Sequence, residues 1–474
     1  MRKNKSLKLN MILNAIKGLL SVLFPLITFP YVSRVLGVDN LGRYNFVNSI
    51  ISYLLLLAGL GINTYAIREG ARIRDDRERI ELFGREMLSI NILSTVFSYL
   101  LLFILLLAVS RLEDDRSLLL IFSLQIIFKT IGVEWVYSIY EDYIYITLRS
   151  IVFQVISLIL LFLFVKTKDD IDIYALITVL SAVGSNLLNY IHSKSYCDLR
   201  PVWQIRWKAH LRPILILFAM SATVTIYVSS DITILGFLCG DYTVGIYSVS
   251  VKVYNIVKTI LSSVLIVSVP RLSLLLGKND MVRFSESADD IYKTLLTLVS
   301  PAIVGIIVLR KEIVLLFSTS DYISAITSLS LLSIALFFCM GAWFWGQCIL
   351  IPFKEESTVF KITIFSAVVN IGLNFILVPV WRENAAAITT IVAEGLSFVL
   401  CAYVGRKYLQ VKKLLVHYIK IAIGCIVIYF IGSFVHSLSL SSASNMMIII
   451  PFSIVFYGVI ELFLKNEAIY GIVK

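Results

Sequence analysis

The feature that most constrains this chain is a succession of apolar runs, each about twenty residues long, that follow one another from end to end. A bilayer core about 30 Å thick is crossed by a helix of roughly twenty apolar residues. The runs are continuous and rich in Leu, Ile and Val, whereas strands of a membrane barrel alternate apolar and polar residues. Because 58% of the residues are hydrophobic and only 15% are charged, we predict an all-α integral membrane protein.

We count about fourteen predicted transmembrane helices, separated by short polar segments. Their approximate limits are residues 10–35, 43–66, 87–110, 118–139, 144–165, 171–191, 213–236, 243–269, 290–309, 322–351, 359–380, 385–404, 415–436 and 446–464. No small-residue cleavage site follows the basic N-terminus MRKNKSLK. The first run is therefore interpreted as a retained helix rather than a signal peptide.

The distribution of Lys and Arg predicts the orientation. More than half of the 42 basic residues fall in alternate segments that include the N-terminus, residues 67–85 and residues 194–212. Cytoplasmic loops carry such an excess, so both termini are predicted to lie on the cytoplasmic side of the cytoplasmic (plasma) membrane. The net charge of +11 is then mostly a topology signal. A nucleic-acid partner is not expected, because the sequence offers no soluble basic domain.

An internal repeat predicts two halves. DNLGRYNFVNSIISY at 39–53 resembles DYTVGIYSVSVKVYN at 241–255 when Gly42 is aligned with Gly245 and Tyr44 with Tyr247. The copies open the second and eighth helices and so share one membrane orientation, as in parallel repeats related by an axis along the membrane normal. We predict pseudo-symmetric six-helix bundles at 1–195 and 213–408, a cytoplasmic linker at 196–212, and two accessory helices within 409–474.

Polar side chains inside the spans form stripes on single helix faces. Steps of three and four residues place each set on one face, and the repeat aligns two of these sets. An ionised side chain at the bilayer centre costs about 3 kcal/mol or more, so these faces should line a water-filled cavity or pair with one another. The sets are Asn45, Ser49 and Ser52 in the first copy, Ser248, Lys252 and Asn255 in the second, and Asn14 and Lys17 in the first helix.

Motifs for several other chemistries are absent from the sequence. There is no GxxxxGK[ST] phosphate-binding loop, and such a loop is required for P-loop nucleotide hydrolysis. The six cysteines form no CxxC pair, and the four histidines lack paired ligand spacing, so neither a zinc site nor a disulfide framework is predicted. No metal and no cofactor is expected.

Two segments resemble a known family. GVEWVYSIYEDYIYITLR at 132–149 and LVPVWRENAAAITTIVAEG at 377–395 are similar to segments of Wzx-type polysaccharide flippases. These proteins belong to the multidrug/oligosaccharidyl-lipid/polysaccharide (MOP) exporter superfamily. The sequence departs from the family pattern at Ser138 and Ile139, where Gln and Gly are expected. The resemblance implies a membrane transporter rather than an enzyme.

The resemblance further implies translocation of a polyprenyl-diphosphate-linked oligosaccharide from the cytoplasmic to the outer face, by alternating access, for surface polysaccharide biosynthesis. Polysaccharide polymerase and chain-length machinery are the implied protein partners. A cationic cavity between the bundles would hold the diphosphate and the sugar. Its expected ligands are Lys17, Lys129, Arg149, Lys252, Asn255 and Lys258, with Asn14, Asn45, Ser49, Ser52 and Ser248 as polar lining.

Each cationic candidate has a structural alternative. Lys17 and Lys258 could extend to the cytoplasmic head groups, where long basic side chains are tolerated. Arg149 could anchor the same interface. Lys129 could be neutralised by Glu134, which is close in sequence.

The intramembrane carboxylates of Asp231 and Glu394 could couple transport to a proton or another cation, or could pair with a cavity lysine. The alternative functions are a peptidoglycan lipid-precursor flippase and a cation-coupled multidrug exporter of the same superfamily. For the exporter we expect an anionic or apolar cavity, which the lysines disfavour. A membrane glycosyltransferase or polymerase should carry catalytic carboxylates in a large outer loop, whereas RLEDDR and KTKDDID are short.

Overall fold

The chain is helical throughout the part that the computed structural model describes, which is residues 7–411 and 414–468, with side chains from residue 23 onward. No β-strand occurs in these ranges, so the predicted all-α class is confirmed. The helices are α1 Leu7–Gly59, α2 Ile62–Ile73, α3 Arg77–Ala108, α4 Arg116–Gly132, α5 Glu134–Ile139, α6 Tyr143–Phe164, α7 Ile171–Val183, α8 Asn186–Ser193, α9 Trp207–Leu238, α10 Asp241–Gly277, α11 Met281–Val308, α12 Arg310–Phe317, α13 Ala325–Trp343, α14 Glu356–Gly405, α15 Leu414–Ser437 and α16 Ser442–Phe463. A π-helical segment, Phe344–Leu350, continues α13.

Two helices are too long for a single membrane crossing. The 53 residues of α1 and the 50 residues of α14 extend about 75–80 Å at 1.5 Å per residue, more than twice the bilayer core. Both are interrupted by a residue with positive φ, Gly37 at 75° and Arg382 at 49°. Each long helix therefore contains two of the predicted spans, divided at its kink.

Eleven helical segments of the described chain are long and apolar enough to cross a bilayer. The 17 residues of α4 are followed directly by the short α5, and the two together cover the predicted span at 118–139. The protein is therefore a multi-pass membrane protein, as predicted. The count of fourteen and the pseudo-symmetry of the bundles stay predictions.

The first of two compact units is Met1–Val244. Within it, α1 packs against α3, α4, α6 and α9. A buried apolar cluster joins α2, α3 and α5 and includes Tyr65, Met87 and Trp135. The second unit, Gly245–Lys474, is held by packing of α13 on α14, α15 on α16, and α11 on both α13 and α15.

The predicted linker packs on α3 of the first unit. Cys197 and Leu199 are buried in the apolar cluster, and Arg85 binds Asp198 at 3.1 Å. The backbone N–H of Val202 donates to the Ser89 hydroxyl at 2.8 Å. The linker, residues 196–212, thus packs on the first unit, and we call this segment the strap. The domain limits proposed from the sequence stay a prediction.

Glu86 fixes the strap where it enters α9. Both oxygens of this buried carboxylate accept hydrogen bonds, Oε1 from N and Nε of Arg206 at 3.1 and 2.9 Å and Oε2 from Nη2 at 2.8 Å. Nε2 of His210 also donates to Oε2 at 3.0 Å. An ionised carboxylate only accepts, so Nε2 carries a proton, and Nδ1 is hydrogen-bonded to the Tyr65 hydroxyl 2.9 Å away.

Candidate functional site

A cleft of about 620 Å³ with both apolar and polar lining opens within the first unit. It is lined by residues near the ends of α1, α2, α4 and α5, by Asn91 of α3, and along one side of α9. Most polar groups on its wall are hydroxyls and amides. They belong to Ser52, Asn63, Thr64, Asn91, Thr130, Ser221, Thr225 and Ser229.

A glycine turn forms one edge of the cleft. Between α1 and α2 the backbone has positive φ at Leu60 and Gly61, a conformation that Gly adopts without steric cost. A Cβ at Gly61 would lie 2.7 Å from the backbone nitrogen of Phe218, so α2 approaches α9 more closely than any side chain would allow. Asn63 and Thr64 follow this turn and are exposed to the cleft.

A second break, between α4 and α5, brings two charged residues to the wall. Val133 has φ 38°, which is unusual for a β-branched residue. Lys129 and Thr130 precede the break, and Glu134 and Trp135 follow it, and all four line the cleft. Lys129 is exposed, and within the described chain it forms no ion pair. It therefore presents an ammonium group to any solute in the cleft.

Arg149 lies behind Glu134. Its Nη2 is 3.6 Å from Glu134 Oε1, and the arginine side chain is 7% exposed whereas that of Glu134 is 51% exposed. Nε and Nη1 are buried and have no hydrogen-bond partner among the described residues. The guanidinium lies over the Tyr145 ring, 5.5 Å from its centroid. A buried guanidinium with unpaired donors is a strong potential anion ligand.

Aromatic packing holds this part of the wall. Tyr137 is fully buried and donates to the Asn189 carbonyl at 2.6 Å. Tyr145 stacks on His192 at a centroid distance of 4.3 Å and on Tyr137 at 5.3 Å. The aromatic residues of the EWVYSIYEDYIYITLR segment thus form the packed support beneath Arg149.

The structure separates the predicted residues of the first unit into two groups. Ser52 and Lys129 line the cleft, and Arg149 contacts it through Glu134. The described side chains show no ion pair between Lys129 and Glu134, and the Glu134 carboxylate lies 3.6 Å from Arg149 Nη2 instead. Lys17 and Asn14 lie outside the described side chains.

The remaining predicted residues of the first unit make packing contacts. The Asn45 amide donates to the Leu41 carbonyl of its own helix at 2.8 Å. Ser49 is buried, and its hydroxyl is 2.8 Å from that of Thr233 on α9. Asp231 is also buried, next to Tyr53. Ser49 thus contacts a neighbouring helix, whereas the Asn45 amide is bonded within its own helix.

In the second unit, the polar stripe lies on α10. Ser248 is buried, Lys252 is half-buried and Asn255 is exposed. Lys258 lies over the Tyr254 ring at 5.5 Å. It also interacts electrostatically with Glu394, which is buried. The structure thus brings together a predicted cationic ligand and a predicted coupling carboxylate.

Sequence reasoning did not select the polar wall formed by α9. Ser221, Thr225 and Ser229 recur at intervals of four residues and so share one helix face. Asn63, Thr64 and Asn91 carried no such signal, because they lie on separate elements that only tertiary packing brings to one cleft. No cluster of three potential metal ligands is found among the described residues.

Comparison with protein families identifies the class of this chain. The family described as polysaccharide biosynthesis protein matches residues 7–276, more than half of the 474 residues. The chain belongs to this family. The family described as MatE matches residues 216–376.

Two curated relatives cover most of the chain. A candidate O-antigen transporter of Escherichia coli (strain K12) is 24% identical over 403 residues, which is 84% of this chain and 96% of the relative. The capsular polysaccharide biosynthesis protein CapF of Staphylococcus aureus is 21% identical over 395 residues, which is 82% of this chain and 96% of that protein.

Solved structures share the fold. The lipid II flippase MurJ in an inward closed conformation superimposes with a TM-score of 0.76 at 16% identity, covering 96% of this chain and 99% of MurJ. An inward-facing multidrug resistance MATE transporter of the MOP superfamily gives a TM-score of 0.59 at 14% identity, covering 84% of this chain and 97% of that one. With the family match, they confirm the predicted Wzx-type, MOP-superfamily resemblance.

Proposed function

We propose that this protein is a flippase for a polyprenyl-diphosphate-linked oligosaccharide. It moves the repeat unit from the cytoplasmic to the outer face of the cytoplasmic membrane by alternating access, for surface polysaccharide biosynthesis. Both termini lie in the cytoplasm in this scheme. A polymerase and chain-length machinery use the delivered repeat unit.

The observation that carries the proposal is the buried guanidinium of Arg149. Two of its nitrogens lack hydrogen-bond acceptors, and burial of unpaired polar groups is unfavourable. A diphosphate offers several anionic oxygens, which arginine binds through charge-assisted hydrogen bonds. Rotation of the half-exposed Glu134 away from Arg149 would free Nη2, which now faces the carboxylate, to bind an anion in the cleft.

The composition of the cleft suits the rest of the head group. Lys129 adds a second cation near Arg149, and the hydroxyl and amide groups of the wall match the hydrogen-bonding needs of a sugar. A charged, hydrated head group does not cross hydrocarbon unaided, whereas a polyprenyl tail can remain in the lipid. The protein therefore needs to shield only the head group.

In the second unit, we propose Lys252, Asn255 and Lys258 as head-group contacts during transport. Asp231 in the first unit and Glu394 in the second are the candidate coupling groups. The interaction of Lys258 with Glu394 supports a coupling role, because protonation of the carboxylate would leave the lysine with an uncompensated charge.

The test is transport in proteoliposomes. A fluorescent polyprenyl-diphosphate oligosaccharide is the cargo, and its movement is followed by quencher protection. Lys129→Ala, Arg149→Ala and Lys252→Ala should each reduce transport. Lys420→Ala is the matched control, because this lysine donates to the Lys465 carbonyl and lies outside the cleft.

Parallel cargoes distinguish the alternative functions. A lipid-linked peptidoglycan precursor carries the same diphosphate, and a cationic drug carries the opposite charge. Movement of the oligosaccharide lipid, with loss in the three variants, supports the proposal. Movement of the drug alone, or wild-type transport by all three variants, contradicts it.

A further inference from the structure

A separate cleft of about 770 Å³ lies within the second unit. Its walls come from the last turn of α11, from α12, from the start of α13, from the end of α15 and from the start of α16. These are the points where membrane-crossing helices end and the chain turns back. Such ends lie at the level of the lipid head groups.

A buried carboxylate with one unused oxygen lies in this cleft. Glu312, which is 5% exposed, accepts at Oε1 from His436 Nε2 and from Asn445 Nδ2, both at 3.1 Å. Its Oε2 is buried and has no partner among the described residues. Apart from His436, no basic side chain of the described chain forms an ion pair with Glu312.

Asn445, which is bonded to Glu312, carries a second unused acceptor. Asn445 is 6% exposed, and its Oδ1 is likewise buried without a partner. The donation from Nδ2 to the carboxylate fixes the orientation of the amide, since the flipped amide would place two acceptors together. Two buried oxygens that belong to neighbouring side chains thus lack a donor, and buried acceptors without donors are unfavourable.

Basic side chains on the cleft wall provide the complementary charge. Arg310 and Lys311 line the cleft and are exposed. Neither forms an ion pair within the described ranges of the chain. Both directly precede Glu312 in the first turn of α12. The cleft therefore combines an anionic, acceptor-rich inner part with a cationic outer part.

Part of the cleft wall is apolar. Val308, which lines the cleft, packs against a buried cluster of Leu309, Val435 and Ile449. Tyr429 lines the cleft and is 58% exposed, and Phe434 on the same helix is 67% exposed. Exposed aromatic residues at helix ends are typical of the membrane interface. A ligand bound here can keep acyl chains against this surface.

We propose that this cleft binds the head group of an ethanolamine phospholipid. The primary ammonium donates to Glu312 Oε2 and Asn445 Oδ1, and the phosphate lies against Arg310 and Lys311. A metal ion fits less well, because hard cations such as Ca²⁺ take six to eight oxygen ligands and only two unused oxygens are present. The site is distinct from the transport cleft and does not depend on the proposed function.

The sharpest test leaves the protein unchanged and varies the number of N–H donors on the lipid. Native mass spectrometry of the purified full chain measures the relative affinity for phosphatidylethanolamine, its N-methyl and N,N-dimethyl forms, and phosphatidylcholine, all with the same acyl chains. The two acceptors require two donors. We therefore expect similar affinity for the first two lipids, a loss of about tenfold or more for the N,N-dimethyl form, and a loss of about 100-fold or more for phosphatidylcholine, since each hydrogen bond to a charged group contributes about 1.5–3 kcal/mol. Equal affinity across the series would overturn the proposal.

Variants test the residues. Glu312→Gln removes the charge and should abolish the preference for ethanolamine over choline. Arg310→Ala with Lys311→Ala, at exposed positions where folding is not at risk, should weaken binding of all four lipids several-fold. Lys278→Ala, an exposed lysine at the far end of α10, is the control and should change nothing. A double variant that binds like the wild type would contradict the phosphate contact.

A soluble competitor distinguishes the source of the ligand. Glycerophosphoethanolamine has the same ammonium and phosphate but no acyl chains. If the site binds a lipid, this compound should fail to displace the phospholipid at equal concentration. Displacement at equal concentration would assign the site to a free ammonium phosphate and overturn the lipid assignment.

Discussion

Two buried carboxylates in this protein have similar surroundings but different hydrogen bonding. Glu86 in the first unit and Glu312 in the second are 1% and 5% exposed, and each is bonded to a histidine. Both oxygens of Glu86 accept hydrogen bonds, three from Arg206 and one from His210. Only one oxygen of Glu312 does so, and the other has no partner among the described residues.

The difference separates a structural role from a binding role. Both oxygens of Glu86 are paired within the protein and hold the strap on α3. No unpaired acceptor is left there for a ligand. Glu312 leaves an acceptor unused at the wall of a cleft, and Arg149 leaves two donors unused behind another. A buried charge whose atoms are all paired indicates a structural role. A buried charge at a cleft that keeps unpaired atoms indicates a ligand-binding role.

The largest expected effect is on stability at Glu86. Glu86→Leu leaves the buried His210 and the guanidinium of Arg206 without their acceptor. The Arg206 side chain is 60% exposed and can be hydrated, so the main cost is the buried His210 donor left without its acceptor, about 1–3 kcal/mol. We expect a loss of this size in the free energy of unfolding, measured by denaturant titration in detergent micelles.

Glu78→Leu is the control for this experiment. It removes an exposed carboxylate from the first turn of the same helix, and the loss should stay below about 1 kcal/mol. If both substitutions destabilised the protein equally, the closed network around Glu86 would have no special role.

The next largest effect is expected on transport, from substitution of Arg149. Hydrogen bonds to charged groups contribute about 1.5–3 kcal/mol, so Arg149→Leu should reduce oligosaccharide-lipid transport about 10- to 100-fold. The free energy of unfolding should change by less than about 1 kcal/mol, because two donors of the arginine are already unpaired and Glu134 can be hydrated.

Initial rates measure the loss of transport, and denaturant titration of the same preparation measures the change in the free energy of unfolding. Glu134→Gln is the matched variant, and it should retain transport because it keeps the shape of the side chain. A destabilisation at Arg149 as large as that at Glu86 would show that the arginine is structural.

A smaller effect on stability is expected from substitution of Glu312. Glu312→Gln keeps an oxygen that can accept from His436 and Asn445, and it removes a buried charge. The free energy of unfolding without added lipid should therefore change by less than about 1 kcal/mol. Denaturant titration of delipidated protein measures this, and a loss of several kcal/mol would place Glu312 with Glu86 as an architectural group.

The smallest effect concerns thiol reactivity in the strap. Burial raises the pKa of the Cys197 thiol to about 12, and the thiolate is the reactive form. In a variant that retains only Cys197, maleimide at neutral pH should leave the folded protein almost unmodified. Addition of Glu86→Leu should make labelling measurable by mass spectrometry. Fast labelling of the variant that retains only Cys197 and still has Glu86 would mean that the strap is not packed on α3.

The sequence is sufficient for the fold class because apolar runs of membrane length permit few alternatives. Lys129 was also predictable, since a cation inside an apolar run is visible without a structure. The pairing of Arg149 with Glu134 was not, because the chain turns between them at the junction of α5 and α6, where Glu141 has a positive φ, and no residue pattern signals that turn.

The second cleft illustrates a different limit. His436 and Asn445 are 124 and 133 residues from Glu312, and each is separately typical of a helix end. Only the packing of α12 on α16, and of α16 on α15, which carries His436, places them together. The stripe of Ser221, Thr225 and Ser229 is the opposite case, because its regular spacing was available in the sequence.

The packing of α1 on α9 has a consequence for biosynthesis. Ser49 and its partner Thr233 are 184 residues apart in the chain, and ribosomes add about 5–20 residues per second. The first helix therefore waits about 10 to 40 s in the membrane with its partner not yet made. During that time the polar face of α1, including Ser49, has to be shielded from lipid. The insertion machinery or the helices made between α1 and α9 can provide this shielding. Assembly of the first unit is thus completed only when synthesis has passed the strap and delivered α9.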